Sequence, residues 1–209
     1  MSIVAACYYN EGKRIRDVAL DEHVQWDKSR SDFCWIALHD PTAEELHAIQ
    51  TTYQLHPVAI DNAMHPLCPP KLEVYNDELY VVAQTAELVG DTIRYGKMAI
   101  FTGHNHLITV RHGHAGELGT LRKQLEASPA LLGKGVDYVL HAILHRIVDQ
   151  YLPIFEMIED DVLAMERRSL GDFLGREDVA RIFALRCELT HFQRTLGAMA
   201  ELVRKLVRG

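Results

Sequence analysis

The sequence predicts an α/β protein, an αβα sandwich built on a mixed β-sheet with a long antiparallel helical hairpin at its C-terminal end. Up to about residue 112, apolar residues come in short strand-like runs separated by turn residues and short helical segments. From Val136 onward they follow helical spacing instead. We therefore divide the chain into an αβ body, residues 1–135, and a helical hairpin, residues 136–209, that packs on the body and projects from it.

The strands of the body are indicated by apolar runs and by turn chemistry between them. The Asn-Glu-Gly-Lys segment at 10–13 predicts a hairpin turn, because glycine tolerates a positive φ. The Asn-Asp pair at 76–77 predicts a second tight turn within the run 71–86. The predicted strands cover the runs 3–9, 33–38, 71–86, 93–103 and 106–112.

Three short helices are predicted between these strands. Thr42 stands three residues before Glu45, the capping-box pattern that satisfies free backbone N–H groups at a helix start. A second helix is predicted from His56-Pro57 to Met64, and a third from His114 to Ala127. Strands interleaved with helices favour a sheet with helices packed on its faces.

The first hairpin helix is predicted from Val136 to Arg168. Its apolar residues repeat every 11 residues, about 3.67 per turn, which keeps them on one face of a nearly straight helix. At ~1.5 Å per residue such a helix is roughly 50 Å long, so it should protrude or follow an edge. Pro153 lies inside it and removes a backbone hydrogen bond, so we expect a kink there. The repeating residues are Leu140, Ile143, Ile147, Tyr151, Ile154, Ile158, Val162 and Met165.

The second hairpin helix follows a break at Ser169–Asp172 and carries a regular heptad. This pattern is typical of a coiled-coil seam, and two amphipathic helices joined by a short connection form an antiparallel hairpin. Packing the two stripes together should hide most of both. The heptad residues are Ile182, Leu185, Leu189, Phe192, Leu196, Met199, Val203 and Leu206.

Composition excludes several classes of protein. The chain has 209 residues, 22 basic against 29 acidic, with a net charge of -7, so it lacks the basic footprint of a nucleic-acid-binding protein, and cations are the expected partners. Its four cysteines form no C-x-x-C pair, which favours free thiols in the cytosol. The first residues lack the basic and apolar regions of a signal peptide, and no apolar run reaches about 18 residues, so we expect no membrane-spanning helix within these 209 residues.

The first hairpin helix also carries many carboxylates, of which Asp149, Glu156 and Asp160 are spaced to lie opposite its apolar stripe. Like charges four residues apart cost about 0.2 to 0.5 kcal/mol in an isolated helix, so salt, a cation or a basic surface should offset them. This face either lies in water, binds a metal ion or contacts a neighbouring molecule.

Motifs of catalysis are absent from the sequence: there is no H-E-x-x-H, no glycine-rich phosphate loop, no G-x-S-x-G and no EF-hand spacing. Two H-x-H pairs, His104 with His106 and His112 with His114, are the remaining candidates for a transition-metal site, since alternate residues of an extended chain point to one side. The chain is predicted not to be an enzyme.

Five segments, in order, resemble the cytoplasmic domain of the CorA family of divalent-metal transporters, which includes the related zinc transporter ZntB. The segments are FCWIALHDPTAEEL, YQLHPVAIDNA, PPKLEVYNDELYVVAQTA, LITVRHG and DYVLHAILHRIVDQYLPIFEMIEDDV. The resemblance implies an αβα domain with a protruding acidic helix pair, on the cytoplasmic side of the inner membrane. It also implies a pentameric transporter of Mg²⁺, Co²⁺ or related ions, whose stalk, pore and Gly-Met-Asn signature are not in this sequence.

In this family, cytoplasmic carboxylates at subunit boundaries bind Mg²⁺ and hold the pore closed. By position, the resemblance implies regulatory metal ligands at Glu87 and Asp91, in the turn AELVGD, and at Asp160 and Asp161 on the acidic helix. Regulatory Mg²⁺ is therefore the expected ligand, with Co²⁺ or Zn²⁺ as alternatives.

Two functions of other classes remain open. A soluble interaction protein would use the heptad helix to bind a partner helix and would need no ion. A metalloenzyme would use the His104–His114 cluster and would need a base in the same pocket, for which the sequence offers no candidate.

Overall fold

The structure, a computed structural model, describes residues 3–22, 24, 32–65, 68–113, 118–171 and 175–208. It contains one seven-stranded sheet with the strand order β2-β1-β3-β7-β6-β5-β4. Only the central pair β3–β7 is parallel, so the sheet is mixed, as predicted. The strands are β1 (Ile3–Asn10), β2 (Lys13–Asp17), β3 (Phe33–His39), β4 (Lys71–Tyr75), β5 (Glu78–Val89), β6 (Thr92–Thr102) and β7 (His106–Gly113).

The predicted turns form as their residues indicate. Glu11 and Gly12 both adopt positive φ (49° and 75°) between β1 and β2, which suits the twist of a two-residue hairpin turn. Asn76 has φ 56° in the turn between β4 and β5, in a conformation that asparagine tolerates better than most residues. The turn residues therefore set the pairing of β1 with β2 and of β4 with β5.

Helices cover both faces of the sheet. On one face, α1 and α2 bury Leu46, Ile49 and Ile60 against the sheet. On the other face, the helices that follow β7 bury a second apolar layer around Trp35, Val139 and Ile143. The arrangement is the predicted αβα sandwich. The helices are α1 (Ala43–Tyr53), α2 (Pro57–Met64), α3 (Gly119–Glu126), α4 (Pro129–Leu132), α5 (Val136–Asp149), α6 (Tyr151–Gly171) and α7 (Arg176–Arg208).

Helix starts follow the sequence signals. The capping box forms in full, because the Glu45 amide donates to Thr42 Oγ1 (3.2 Å) and the Thr42 amide donates to Glu45 Oε2 (2.9 Å). Pro57 occupies the first turn of α2, where its missing N–H costs nothing. The third predicted helix begins later than expected, as α3 at Gly119, and residues 114–117 lie outside the described part of the chain.

The helix predicted from Val136 to Arg168 is divided into α5 and α6 at Gln150, which is helical in φ and ψ and whose amide still donates to the Arg146 carbonyl oxygen (3.3 Å). The single-helix prediction was therefore wrong, because the helix is interrupted three residues before Pro153. The physical reason is the missing N–H of Pro153, which leaves the Asp149 carbonyl without its helical partner; the break places the proline in the first turn of α6, where it is tolerated.

The two long C-terminal helices, α6 and α7, run antiparallel, as predicted. Their contacts join the start of α6 to the middle of α7 and the end of α6 to the start of α7. These contacts are the edge-to-face rings of Tyr151 and Phe192 (5.9 Å between centroids), the ion pair of Asp161 with Arg181, and that of Arg168 with Asp178 (2.9 Å). The interhelix break predicted at Ser169–Asp172 falls partly on residues 172–174, and the terminal Gly209 is also outside the described residues.

The apolar stripes are only partly buried. On α5 and α6, the residues from Leu140 to Ile158 are buried, as predicted. On α7, Leu185, Phe192 and Met199 are buried, whereas the other half of the heptad is exposed by 37–46%. The prediction that hairpin packing hides most of both stripes was wrong for this half, which consists of Ile182, Leu189, Leu196 and Val203.

No helix in the described part of the chain combines the length and apolarity needed to cross a membrane. Helix α5 packs directly on the sheet through Val139, Leu140 and Ile143, within the same core cluster as Trp35. The division into residues 1–135 and 136–209 stays a prediction, because α5 belongs to the core of the body as much as to the hairpin.

Candidate metal-binding sites

Glu87 and Asp91 lie at the far end of the β5–β6 hairpin. Glu87 is half-buried on β5 and stands directly opposite Arg94 on β6. Asp91 is exposed in the two-residue turn after Gly90, whose φ is 60°. A cation at Glu87 would therefore lie next to an arginine position on the neighbouring strand, while Asp91 is open to water.

Asp160 and Asp161 lie next to each other on α6 but differ in environment. Asp160 is fully on the exposed face of the helix. Asp161 is half-buried and forms an ion pair with Arg181 of α7. Sequence reasoning missed Arg181, although the antiparallel hairpin it predicted would have indicated that an α7 cation lies opposite this part of α6.

The structure does not bring the four predicted ligands together. Within the described residues, no group of three or more His, Cys, Asp or Glu side chains is placed to hold a metal ion. Hard cations such as Mg²⁺ keep several waters and need few protein oxygens, so a site at these acids would need ligands from water or from a second chain. The assignment of Glu87, Asp91, Asp160 and Asp161 as metal ligands stays a prediction.

The acidic face predicted on the first hairpin helix is exposed at all three of its residues, Asp149, Glu156 and Asp160. Asp149 has a partner on its own helix, because His145 Nδ1 lies 3.0 Å from Asp149 Oδ2. This arrangement agrees with a face in water and leaves the other two carboxylates available for a cation or a basic surface.

The two H-x-H pairs do not form a shared site in the described residues. His104 is exposed in the turn before β7, whereas His106 is only 9% exposed. His112 is engaged with α2, because its Nε2 lies 2.7 Å from the Ala63 carbonyl oxygen, and its Nδ1 lies 3.2 Å from Asp40 Oδ1. His114 lies outside the described residues. The predicted transition-metal site at these pairs is therefore not supported by the geometry.

A buried cation that the sequence did not indicate lies between the sheet and α2. Lys97 on β6 is 4% exposed, and its Nζ donates to the carbonyl oxygens of Asn62 (2.9 Å), Ala63 (3.2 Å) and His65. These carbonyls end α2 and have no partner within the helix. Lys97 therefore fills with an ammonium group the oxygen cage that a metal ion could otherwise occupy, and its role is structural.

Comparison with solved structures shows the same fold elsewhere. The chain is similar to the soluble domain of CorA from Methanocaldococcus jannaschii, with a TM-score of 0.73 at 20% identity, covering 97% of this chain and 78% of that one. It is also similar to the ZntB cytoplasmic domain from Vibrio parahaemolyticus, with a TM-score of 0.72 at 11% identity, covering 99% of this chain and 80% of that one. At these identities the likeness shows the fold alone.

Comparison with curated protein sequences also finds a CorA protein among the relatives of this chain. The chain is 24% identical over 176 residues to the cobalt/magnesium transport protein CorA of M. jannaschii, which covers 83% of this chain and 55% of that protein. The chain thus spans about half the length of the curated relatives it matches. The family model described as CorA-like Mg²⁺ transporter protein matches residues 30–209. Since that match includes most of the chain, the protein belongs to the CorA-like Mg²⁺ transporter family.

Proposed function

We propose that this chain is the cytoplasmic, ion-sensing domain of a CorA-like transporter of Mg²⁺ or Co²⁺. The observation that carries the proposal is the family match over residues 30–209, supported by an αβα fold with a long antiparallel helix pair. In this proposal the domain lies on the cytoplasmic side of the inner membrane, as part of a homopentamer whose membrane-spanning segments follow it. The domain has no catalytic role.

The regulatory ligand in this proposal is Mg²⁺, held by Glu87 and Asp91 on the β5–β6 hairpin and by Asp160 and Asp161 on α6. Because these acids do not meet within one chain, each pair would complete its coordination with water or with a neighbouring subunit. An ion that binds one subunit arrangement better than another shifts the population toward it, by as much as the two affinities differ. Bound Mg²⁺ would thereby favour the closed arrangement.

Asp160 and Asp161 of α6 differ in this mechanism, because Asp161 forms an ion pair with Arg181 whereas Asp160 is exposed. Asp161 already has a cationic partner in the chain, so Mg²⁺ must compete with a guanidinium for it. Asp160 is exposed and Asp91 lies in an open turn, and both are accessible without breaking such a pair. We therefore propose Asp91 and Asp160 as the stronger ligands and Asp161 as the weaker one.

The test is inhibition of ion flux by cytoplasmic Mg²⁺ in the full-length transporter. Asp91→Asn combined with Asp161→Asn should raise the Mg²⁺ concentration needed for half-inhibition, and adding Asp160→Asn should raise it further. Glu44→Gln, an exposed acid at the start of α1, is the matched control. Inhibition unchanged in the triple variant would discard these residues as sensors.

Two alternatives give different outcomes. In a ZntB-type zinc transporter the same domain would accompany a pore that conducts Zn²⁺, and flux measured with Zn²⁺ and Mg²⁺ in parallel separates the two. A soluble protein that uses α7 to bind a partner helix would not be followed in its gene by two apolar segments of about 20 residues. The family match disfavours this second alternative.

A further inference from the structure

We propose that His141 and His145, on the exposed face of α5, form a binding site for one divalent cation that prefers nitrogen ligands, such as Zn²⁺ or Ni²⁺. The two residues are four apart on a regular helix, so their side chains lie one above the other on the same face. Both are exposed, and their ring centroids lie 6.0 Å apart with an angle of 42° between the rings. This site is separate from the carboxylates proposed above as Mg²⁺ ligands.

The spacing of the rings suits a shared metal ion. Two histidines at i and i+4 of a helix are the pair that holds zinc in the H-E-x-x-H motif. With Zn–N bonds of about 2.0–2.1 Å and tetrahedral angles, two imidazoles on one zinc have centroids roughly 5 Å apart. The observed 6.0 Å needs only a small rotation of exposed side chains to reach that distance.

The contact of His145 with Asp149 also supports a metal site on this face of α5. His145 Nδ1 lies 3.0 Å from Asp149 Oδ2, one turn further along α5. A carboxylate only accepts hydrogen bonds, so in the neutral imidazole, the form that binds metals, Nδ1 carries the hydrogen and Nε2 has the free lone pair. Histidines that bind metals commonly donate their other ring N–H to a carboxylate, which fixes the ring and its tautomer. Asp149 is therefore a positioning residue for His145.

The remaining coordination positions are open. Since the described residues contain no group of three candidate ligands, water or a neighbouring molecule would complete the metal shell. Asp137, one turn before His141, is exposed on the same helix and adds negative charge beside the site. Imidazole suits zinc, copper and nickel, whereas magnesium prefers oxygen, so Mg²⁺ should not compete.

Calorimetric titration of Zn²⁺ into the 209-residue chain tests the site. A Cys187→Ser background removes an exposed thiol that could also bind zinc. His141→Ala and His145→Ala should each weaken the tightest binding by at least about tenfold, as expected for the loss of one of two ligands. Asp149→Asn should weaken it by about 10- to 100-fold, the range measured for partners of metal-bound histidines.

The matched control is His47→Ala, which removes an exposed histidine of α1 that has no histidine one turn away. Its zinc affinity should equal that of the parent, and excess Mg²⁺ should not displace the zinc. Circular dichroism shows that each variant keeps its helical content. Zinc binding that is as tight in the His141→Ala/His145→Ala double variant as in the parent would overturn the proposal, as would an equal loss in the control.

Discussion

His106 Nε2 lies 3.4 Å from Glu78 Oε1, although the two residues are on strands β7 and β5, with β6 between them. The contact is possible because β6 ends at Thr102 and the next residue, Gly103, has no side chain. Burial lowers the pKa of His106 to about 4 and raises the pKa of Glu78 to about 7. Near pH 6 both groups are therefore neutral, so the contact joins an uncharged carboxyl and an uncharged imidazole.

The pH dependence of stability follows from these two shifts, with opposite signs. Glu78 has a folded-state pKa above its ordinary 4.5, so its contribution is complete below pH 4.5 and is lost as the pH rises through about 7. His106 has a folded-state pKa below its ordinary 6.5, so its contribution is complete above pH 6.5 and is lost as the pH falls through about 4. Between pH 4.5 and 6.5 the two contributions change with opposite slopes, so the net contribution of the pair is nearly constant there and is larger than at lower or higher pH.

Glu78→Gln should remove the loss of stability that the wild type shows as the pH rises through about 7. Between about pH 5.5 and 8, the free energy of unfolding of this variant should rise relative to wild type by about 1 to 2 kcal/mol, because only the wild type must ionise a half-buried carboxyl. Urea denaturation at both pH values measures the difference. Glu159→Gln, on the exposed face of α6, is the control, and an equal rise in that variant would contradict the assignment to Glu78.

Gly103→Ala should destabilise the protein by roughly 1 to 3 kcal/mol, the usual cost of an overpacked side chain. A Cβ at this position would lie 2.3 Å from His106 Cε1, and the buried ring has little room to move. Gly197→Ala on α7 meets no atom within 4 Å and should instead stabilise by up to about 1 kcal/mol, since alanine favours helix. Thermal and urea unfolding measure both changes.

The cause of the Gly103→Ala effect can be isolated with a second substitution. In a His106→Ala background the clash is absent, so adding Gly103→Ala should cost less than it does in wild type, by about 0.5 to 3 kcal/mol of coupling. Additive costs in the double variant would show that the backbone at Gly103, rather than the ring, sets the requirement for glycine.

Lys97→Met should cost roughly 1 to 3 kcal/mol, because methionine fills the same space but leaves the carbonyls at the end of α2 without a donor. His112 would still contact the Ala63 carbonyl, so the helix end should loosen rather than unfold. Hydrogen exchange of α2 amides should rise locally. Lys123→Met, an exposed position on α3, should change neither stability nor exchange, and matching effects there would indicate a loss of charge rather than of hydrogen bonds.

The local features of the fold were predictable because short stretches of sequence determine them. The turn at Glu11 and Gly12, the capping box of Thr42 and the start of α2 at Pro57 each depend on residues within four positions of one another. The sheet itself was expected, but its order was not, since pairing β3 with β7 joins residues about 70 positions apart and leaves no local mark.

The contacts between distant residues could not be predicted in the same way. Glu78 lies within the predicted strand run 71–86 and His106 belongs to an H-x-H pair, and only the sheet order places their side chains together. Asp161 was assigned to metal binding, and its partner Arg181 is known only once the α6–α7 packing is fixed. The H-x-H pairs are the transition-metal candidates that the sequence indicates, whereas the histidine pair with favourable geometry is His141 and His145, which are four residues apart on α5.

The heptad of α7 correctly predicts a helix with an apolar face, but it does not predict how much of that face is buried. The pattern does not say how wide the covering surface is. Helix α6 has 21 residues against 33 in α7, and the second half of α7 packs on the sheet, where the Gln84 amide donates to Met199 Sδ at 3.3 Å. On both halves of α7 the covering surface reaches one heptad position and leaves the other exposed. One heptad position, that of Leu185, Phe192 and Met199, is therefore buried along the helix, while the other position is 37–46% exposed. Two residues of the exposed position, Ile182 and Leu189, line a groove of about 320 Å³ beside α6.

This difference within one heptad can be measured in the 209-residue chain. Phe192→Ala should cost about 3 to 5 kcal/mol, because the ring is 2% exposed and packs edge-to-face on Tyr151 at 5.9 Å. Leu189→Ala, on the same helix and in the same heptad, should cost under about 1 kcal/mol, since that side chain is 46% exposed. Urea unfolding of the two variants gives the comparison. Equal costs would mean that Phe192 and Leu189 are buried to the same extent in solution. A second molecule would then have to cover Leu189, as a further helix does in a coiled coil.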